Sequence, residues 1–175
     1  FYNLKKINLK KFKSPKFDKS TDDRFKKKYW NNIKKKPEIV ILEGWCIGAK
    51  PQSNTLIKKP INILEKQEDK NLVWRKYVNE KLKKEYKSLF AKIDHFIFIK
   101  IPNFNMVFNW RLLQEKKLRK KSYSNKKIMN YKEIKRFIMF YQRITLQMIK
   151  DLSKSASVVM FMKKNHEIKK IIFRA

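Results

Sequence analysis

Apolar residues recur at helical spacing near the end of the chain: Tyr131, Ile134, Phe137, Ile138, Tyr141, Ile144, Thr145, Met148 and Ile149. Steps of three and four place them on one side of a 3.6-residue helix. This stripe predicts a long helix packed on a core, with Arg136 and Arg143 falling off it. A second helical pattern covers residues 71–91, where Val78, Leu82, Tyr86 and Leu89 recur and lysines and glutamates fill the other face. Residues 110–119 read as a shorter amphipathic helix with a basic face.

Strand patterns lie between these helices. Ile39, Val40, Ile41 and Leu42 are consecutive, mostly β-branched, and run into Glu43 and Gly44. That predicts a buried parallel strand, with Gly44 turning the chain beneath it. Residues 93–101 predict a second strand, ended by Pro102. Residues 157–162 and 168–173 predict two more, joined by a Lys163-Lys164-Asn165-His166 turn. Residues 51–63 read as a loop broken by Pro60. Residues 1–16 form a basic lead-in whose Leu4, Ile7 and Leu9 can pack on the sheet. Strands alternating with helices give an α/β fold, a parallel sheet flanked by helices.

Composition narrows the picture. With 175 residues, 42% apolar and 14% aromatic, the chain has enough core for a single domain, 1–175. The most apolar run, residues 96–108, is interrupted by Lys100 and Pro102, so no membrane span is expected. No apolar signal region follows the lysines that begin at Lys5. The single cysteine, Cys46, permits no internal disulfide and suits a reducing compartment, cytoplasm or organelle interior. His95 and His166 have no metal-ligand neighbours at zinc spacing. A formal charge of +31 would attract nucleic acid or any phosphate. The lysines, however, come dispersed in twos and threes, with few arginines to read bases bidentately. The excess therefore reads as compositional bias on solvated faces, with nucleic acid as a lesser partner reading.

Candidate chemistry starts at Glu43. An acid at the C-terminal end of a parallel strand faces the crevice where α/β sheets hold ligands. In phosphoryl transfer such an acid holds magnesium, directly or through water; the plain reading is a capping or ion-paired glutamate. Asp18, Lys19 and Ser20 offer an acceptor, a cation and a hydroxyl together, or simply an Asx turn. Arg24 suits a carboxylate, or a surface pair with Asp22 or Asp23.

The run Glu43-Gly44-Trp45-Cys46-Ile47-Gly48-Ala49-Lys50-Pro51-Gln52 resembles the second acidic motif of the P-loop-type D-glycerate 3-kinases, relatives of uridine kinase, pantothenate kinase and phosphoribulokinase. Phe17-Asp18-Lys19-Ser20 upstream and Trp110-Arg111-Leu112-Leu113-Gln114-Glu115 downstream resemble two further segments of that family, in the right order. The resemblance implies a P-loop kinase-like fold, with ATP and magnesium as cofactors and D-glycerate as the small-molecule substrate, phosphorylated to 3-phosphoglycerate. It implies Glu43 at magnesium and Asp18, Lys19 and Arg24 at the acceptor. It further implies a lid over residues 110–127 whose Arg111, with Arg119 as a second candidate, meets the transferring phosphates, and Tyr141 flanking the site.

Two departures stand out. Asp22 occupies a position where the family has glycine. The chain also lacks Gly-x-x-x-x-Gly-Lys-Ser/Thr: Gly44 and Gly48 are three residues apart, Ala49 precedes Lys50, and Pro51 stands where the hydroxyl belongs. The family places that loop, and the acid that supplies the catalytic base, upstream of Phe17. The expectation is the C-terminal portion of a kinase, or a split or degenerate copy, with little turnover alone and sheet edges open to another segment or chain. Rival readings are a kinase for another small acceptor, of the uridine or pantothenate type, and a non-catalytic basic binding protein on a kinase scaffold.

Overall fold

In the computed structural model the described residues are 12–18, 21, 23–35, 37–121 and 128–174. They belong to two compact units, Phe1–Glu43 and Gly44–Ala175. Leu4, Ile7, Leu9, Lys19, Ser20 and Asp22 lie outside the described residues.

The smaller unit holds two short antiparallel ribbons. β1 (Phe12–Ser14) pairs with β4 (Asn31–Ile33), and β2 (Phe17–Asp18) with β3 (Asp23–Arg24). Pro15, lacking an N–H, ends β1. The Phe25 N–H donates to the Lys16 carbonyl at 2.8 Å and the Trp30 indole N–H to the Phe25 carbonyl at 2.6 Å. Phe25 meets Tyr29 edge-on at 6.2 Å. These contacts tie the ribbons together without a large core.

The strand expected at residues 39–42 is not formed. Its residues pair with none of the described strands, and Ile39 and Ile41 are 78% and 86% exposed. The apolar run has strand propensity, but a strand exists only where a neighbour supplies N–H and C=O groups.

The larger unit opens on a turn at residues 45–48. Gly48, not Gly44, takes the left-handed conformation, at φ 81°. A Cβ there would sit 2.8 Å from the Phe96 ring, so both conformation and space require glycine. Ala49 then enters the core with Leu82, Met148, Leu152, Ala156 and Val159, and Cys46 packs beside them. Burial pushes the Cys46 thiol above its usual pKa, which marks a packed, unreactive residue.

Residues 53–68 correct the loop expectation. Ser53 Oγ accepts the Leu56 N–H and starts α1 (Asn54–Lys58). Asn62 Oδ1 accepts the Glu65 N–H and starts α2 (Ile63–Glu68), with Pro60 between the two helices. α3 (Val73–Lys81) continues through one π turn (Leu82–Tyr86) into α4 (Lys87–Phe90), as the 71–91 pattern predicts.

β5 (Ile97–Lys100) leads to α5 (Asn105–Lys121), then α6 (Tyr131–Ser155), β6 (Val158–Met162) and β7 (Ile168–Phe173). A capping box between Asn130 and Glu133 starts α6 where the stripe begins. Ile134, Met148 and Leu152 of that helix are buried. The sheet order is β5-β6-β7. β5 runs parallel to β6, which a helical crossover allows, and β7 returns antiparallel. The sheet is thus mixed, with helices packed on it, and is α/β in class. Among the described residues no helix is long and apolar enough to cross a membrane, and no three metal-binding side chains cluster.

Candidate active site

In the larger unit, Gln52 anchors the loop that follows the turn. Its backbone N–H donates to Asn79 Oδ1 at 2.7 Å, and the Asn79 amide donates back to the Gln52 carbonyl at 3.0 Å. Its side chain donates to Gln147 Oε1 at 2.9 Å and accepts from Arg143 at 3.0 Å. Arg143 also grips Glu65 through two nitrogens, at 2.8 and 2.6 Å. Arg75 donates to Asp69 Oδ2 at 2.8 Å and to the carbonyls of Ile57, Lys58 and Asp69. Burial raises the Asp69 carboxyl, but Arg75 and the N–H groups of Trp74 and Arg75 overcome it and hold the pKa below the usual range. These charges are met by one another and by backbone carbonyls, so they fix the loop.

Next to this scaffold lies a cleft of about 410 Å³. β5, α5 and α6 form its walls, and its lining is mostly apolar, with Trp45, Phe98, Phe137 and Tyr141 contributing rings. Trp45 meets Tyr141 at 4.8 Å, Tyr141 meets Phe137 at 4.8 Å, and the Arg111 guanidinium lies 5.1 Å over Phe137. Arg111 is the cation on the wall. It donates to Gln114 Oε1 at 2.9 Å and to Glu115 Oε1 at 2.5 Å. Glu115 is buried and also accepts the Met129 N–H at 3.2 Å. The Arg111 Nε–H is buried and has no acceptor among the described residues. A buried donor without a partner costs about 1–3 kcal/mol.

The remaining sequence candidates fall in different places. Arg119 is on the exposed C-terminal half of α5, and residues 122–127 of the expected lid lie outside the described residues. Tyr141 lines the cleft. In the smaller unit the register sets Asp18 opposite Asp23 and Phe17 opposite Arg24. Opposed residues share a face of a ribbon, so Asp18 shares its face with a second carboxylate and Arg24 points to the other. The Arg24 N–H donates to Asp23 Oδ1 at 2.6 Å. Glu43 is exposed, at the end of the unpaired 39–42 run. Lys19 lies outside the described residues. Sequence reading missed Glu115, although its position four residues after Arg111 on a helix is a signal for such a pair. It also missed Trp45 as a cleft wall.

The proteins similar to this chain include named kinases. No family model matches the chain. The uncharacterized kinase mug58 of Schizosaccharomyces pombe is 30% identical over 133 residues, 73% of this chain and 46% of its own length. The chloroplastic D-glycerate 3-kinase of Arabidopsis thaliana is 27% identical over 135 residues, 75% of this chain and 26% of its own length. The solved D-glycerate 3-kinase of Cryptococcus neoformans superposes with a TM-score of 0.71 at 22% identity, covering 94% of this chain and 60% of the other. The solved YGR205w protein gives 0.70, also at 22% identity, covering 99% and 61%. The chain thus spans about half or less of the curated relatives it matches. Over that span it carries the fold of the D-glycerate 3-kinases and is their relative in sequence.

Proposed function

We propose that this chain is the acceptor and lid part of an ATP-dependent D-glycerate 3-kinase. The observation that carries the reading is Arg111. It sits in the segment that resembles the family's lid, on a kinase fold, and is the cation that lines the cleft. An arginine so placed suits the oxygens of a transferring phosphoryl group, whose charge must be met as it develops.

The residues present fit ATP and magnesium in part. Arg111 offers the phosphates a donor, and Arg119 a second cation on the same helix. Glu43 offers magnesium a single accessible carboxylate, which suits an ion that keeps several waters and binds phosphate as well. Bound magnesium would neutralise charge between the phosphates. Asp18, with Lys19, would hold glycerate, a hydroxyl donating to Asp18 and the carboxylate taking the lysine; Arg24, on the other face of the ribbon, would take a carboxylate only if the ribbon rearranged on binding. The phosphate loop and the general base would come from polypeptide outside this sequence.

The test is ADP release with magnesium-ATP and D-glycerate, measured on this chain and on the longest chain its gene encodes. Turnover by the longer chain, with Arg111→Ala lowering kcat about 100- to 1,000-fold and Glu43→Gln abolishing it, is the expected result. Turnover with uridine or pantothenate instead reassigns the acceptor. No turnover with any of the three reduces the kinase relationship to ancestry and favours a basic binding protein.

A further inference from the structure

The N-terminal half of α5 is held on two sides. Phe108, Arg111 and Glu115 follow one another at steps of three and four, on one face of the helix. That face meets α6 and the residue pair before it. Phe108 meets the Tyr131 ring edge-on at 4.8 Å, Arg111 lies over Phe137, and Glu115 accepts the Met129 N–H. Trp110 precedes Arg111 by one residue and so projects about 100° away around the axis. It shares a stripe with the buried Met106, four residues earlier. Its ring meets the tip of the β6–β7 hairpin. The indole N–H donates to the Lys164 carbonyl at 2.9 Å, and the ring lies 4.4 Å from the His166 ring at 31°.

The hairpin turn is shaped for this contact. His166 takes φ 69°, the left-handed region that glycine or asparagine ordinarily fills in a hairpin loop. The His166 N–H donates to the Lys163 carbonyl at 3.3 Å, and the Lys163 N–H to the Glu167 carbonyl at 2.7 Å. Strain of this kind persists only where the surroundings over-determine it, and the ring that meets His166 belongs to the neighbour of Arg111. Two stripes anchored on different elements remove the freedom of α5 to roll. Side-chain tips lie about 5–6 Å from a helix axis, so a roll of about 20° would carry the guanidinium about 2 Å. A misplacement of about 1 Å can cost about 100-fold in rate. The clamp ends at Glu115, since residues 116–120 are exposed.

We propose that Trp110 and His166 are positioning residues for Arg111. The β6–β7 turn is a latch that sets the roll of α5, and with it the point at which the Arg111 guanidinium meets a transferring phosphoryl group. The inference rests on the kinase reading above. Arg111 is thereby preorganised before phosphate arrives, which is where a cation stabilises developing charge at least cost. Neither Trp110 nor His166 touches the reacting atoms; each acts through Arg111.

The experiment uses the longest chain the gene encodes and two variants of it. Trp110→Phe keeps a ring and removes the indole N–H. His166→Gly accepts the positive φ and removes the stack. In ADP release with magnesium-ATP and D-glycerate, each should lower kcat about tenfold and change KM for either substrate less than about twofold. The melting temperature should stay within about 4 °C of wild type. In an Arg111→Ala background the same changes should lower kcat by less than about twofold further, because nothing is left to position. An unchanged kcat, a loss that tracks a falling melting temperature, or an undiminished loss in the Arg111→Ala background each overturns the latch. A second readout needs no turnover. The nitrogen-15 signal of the buried Arg111 Nε–H is identified by its loss in Arg111→Lys. In both variants it should shift and exchange with solvent about tenfold or more faster. A signal that stays in place overturns the latch, and turnover alongside it retains the kinase reading. A signal that moves in a protein without glycerate turnover retains the latch and discards that reading.

Discussion

Arg75 is buried because every side of its guanidinium is answered by a carboxylate or a carbonyl. Removing it strips Asp69 of its ion pair, leaving it only the Trp74 and Arg75 backbone N–H groups, and takes the side-chain donor from the Ile57 and Lys58 carbonyls. Arg75→Ala should cost about 3–5 kcal/mol in chemical denaturation, and Arg75→Lys should recover little, since one ammonium cannot span the fork. Asp69 gives the matching pH test. Its folded pKa lies below 3.8, the ordinary value of an aspartate. Its ionised form therefore stabilises the fold above that value, and the stabilisation is lost as pH falls through the lowered folded pKa. The stability gap between wild type and Asp69→Asn should be full at neutral pH and close only below pH 3.8. A gap that is constant with pH would show that the carboxylate charge is irrelevant. Gly48→Ala meets both a positive φ and the Phe96 ring, and should destabilise the larger unit by roughly 3 kcal/mol.

Elements were legible where one element determines its own form. The α6 stripe has a 3.6-residue period and a capping residue at its head, so the helix and its buried face follow from sequence. Asn130→Ala should cost about 1 kcal/mol and Ile134→Ala, at a site with 0% exposure, about 2–5 kcal/mol, both read by thermal melting. α1 and α2 were not legible, since helices of five and six residues hold no stripe and depend on the caps Ser53 and Asn62. The 39–42 run was misread because strand formation belongs to a pair of segments. In the candidate site, the place of Arg111 on a helix was readable. The Gln52 hub was not, because its partners lie 27, 91 and 95 residues away. Nor was the Asp18–Asp23 register, which depends on where the β2–β3 turn closes.

At the scale of the whole molecule, the formal charge of +31 on 175 residues is a standing cost to compactness. The described ion pairs do not absorb it. Several are exposed helical neighbours, such as Lys81–Glu85, Lys83–Glu80 and Lys84–Glu80, and such solvated pairs contribute little to stability. The paired networks at Glu65, Asp69 and Glu115 are buried and little screened by salt. Raising sodium chloride from about 10 mM to 150 mM shortens the Debye length from about 30 Å to about 8 Å. That removes long-range lysine repulsion and leaves the buried pairs intact. The melting temperature should therefore rise with salt. Sulfate at equal ionic strength should raise it further, because it both screens and strengthens apolar burial. A melting temperature that falls with added chloride would mean that exposed ion pairs outweigh the repulsion, and that the lysine excess is matched by more local order than the described contacts contain.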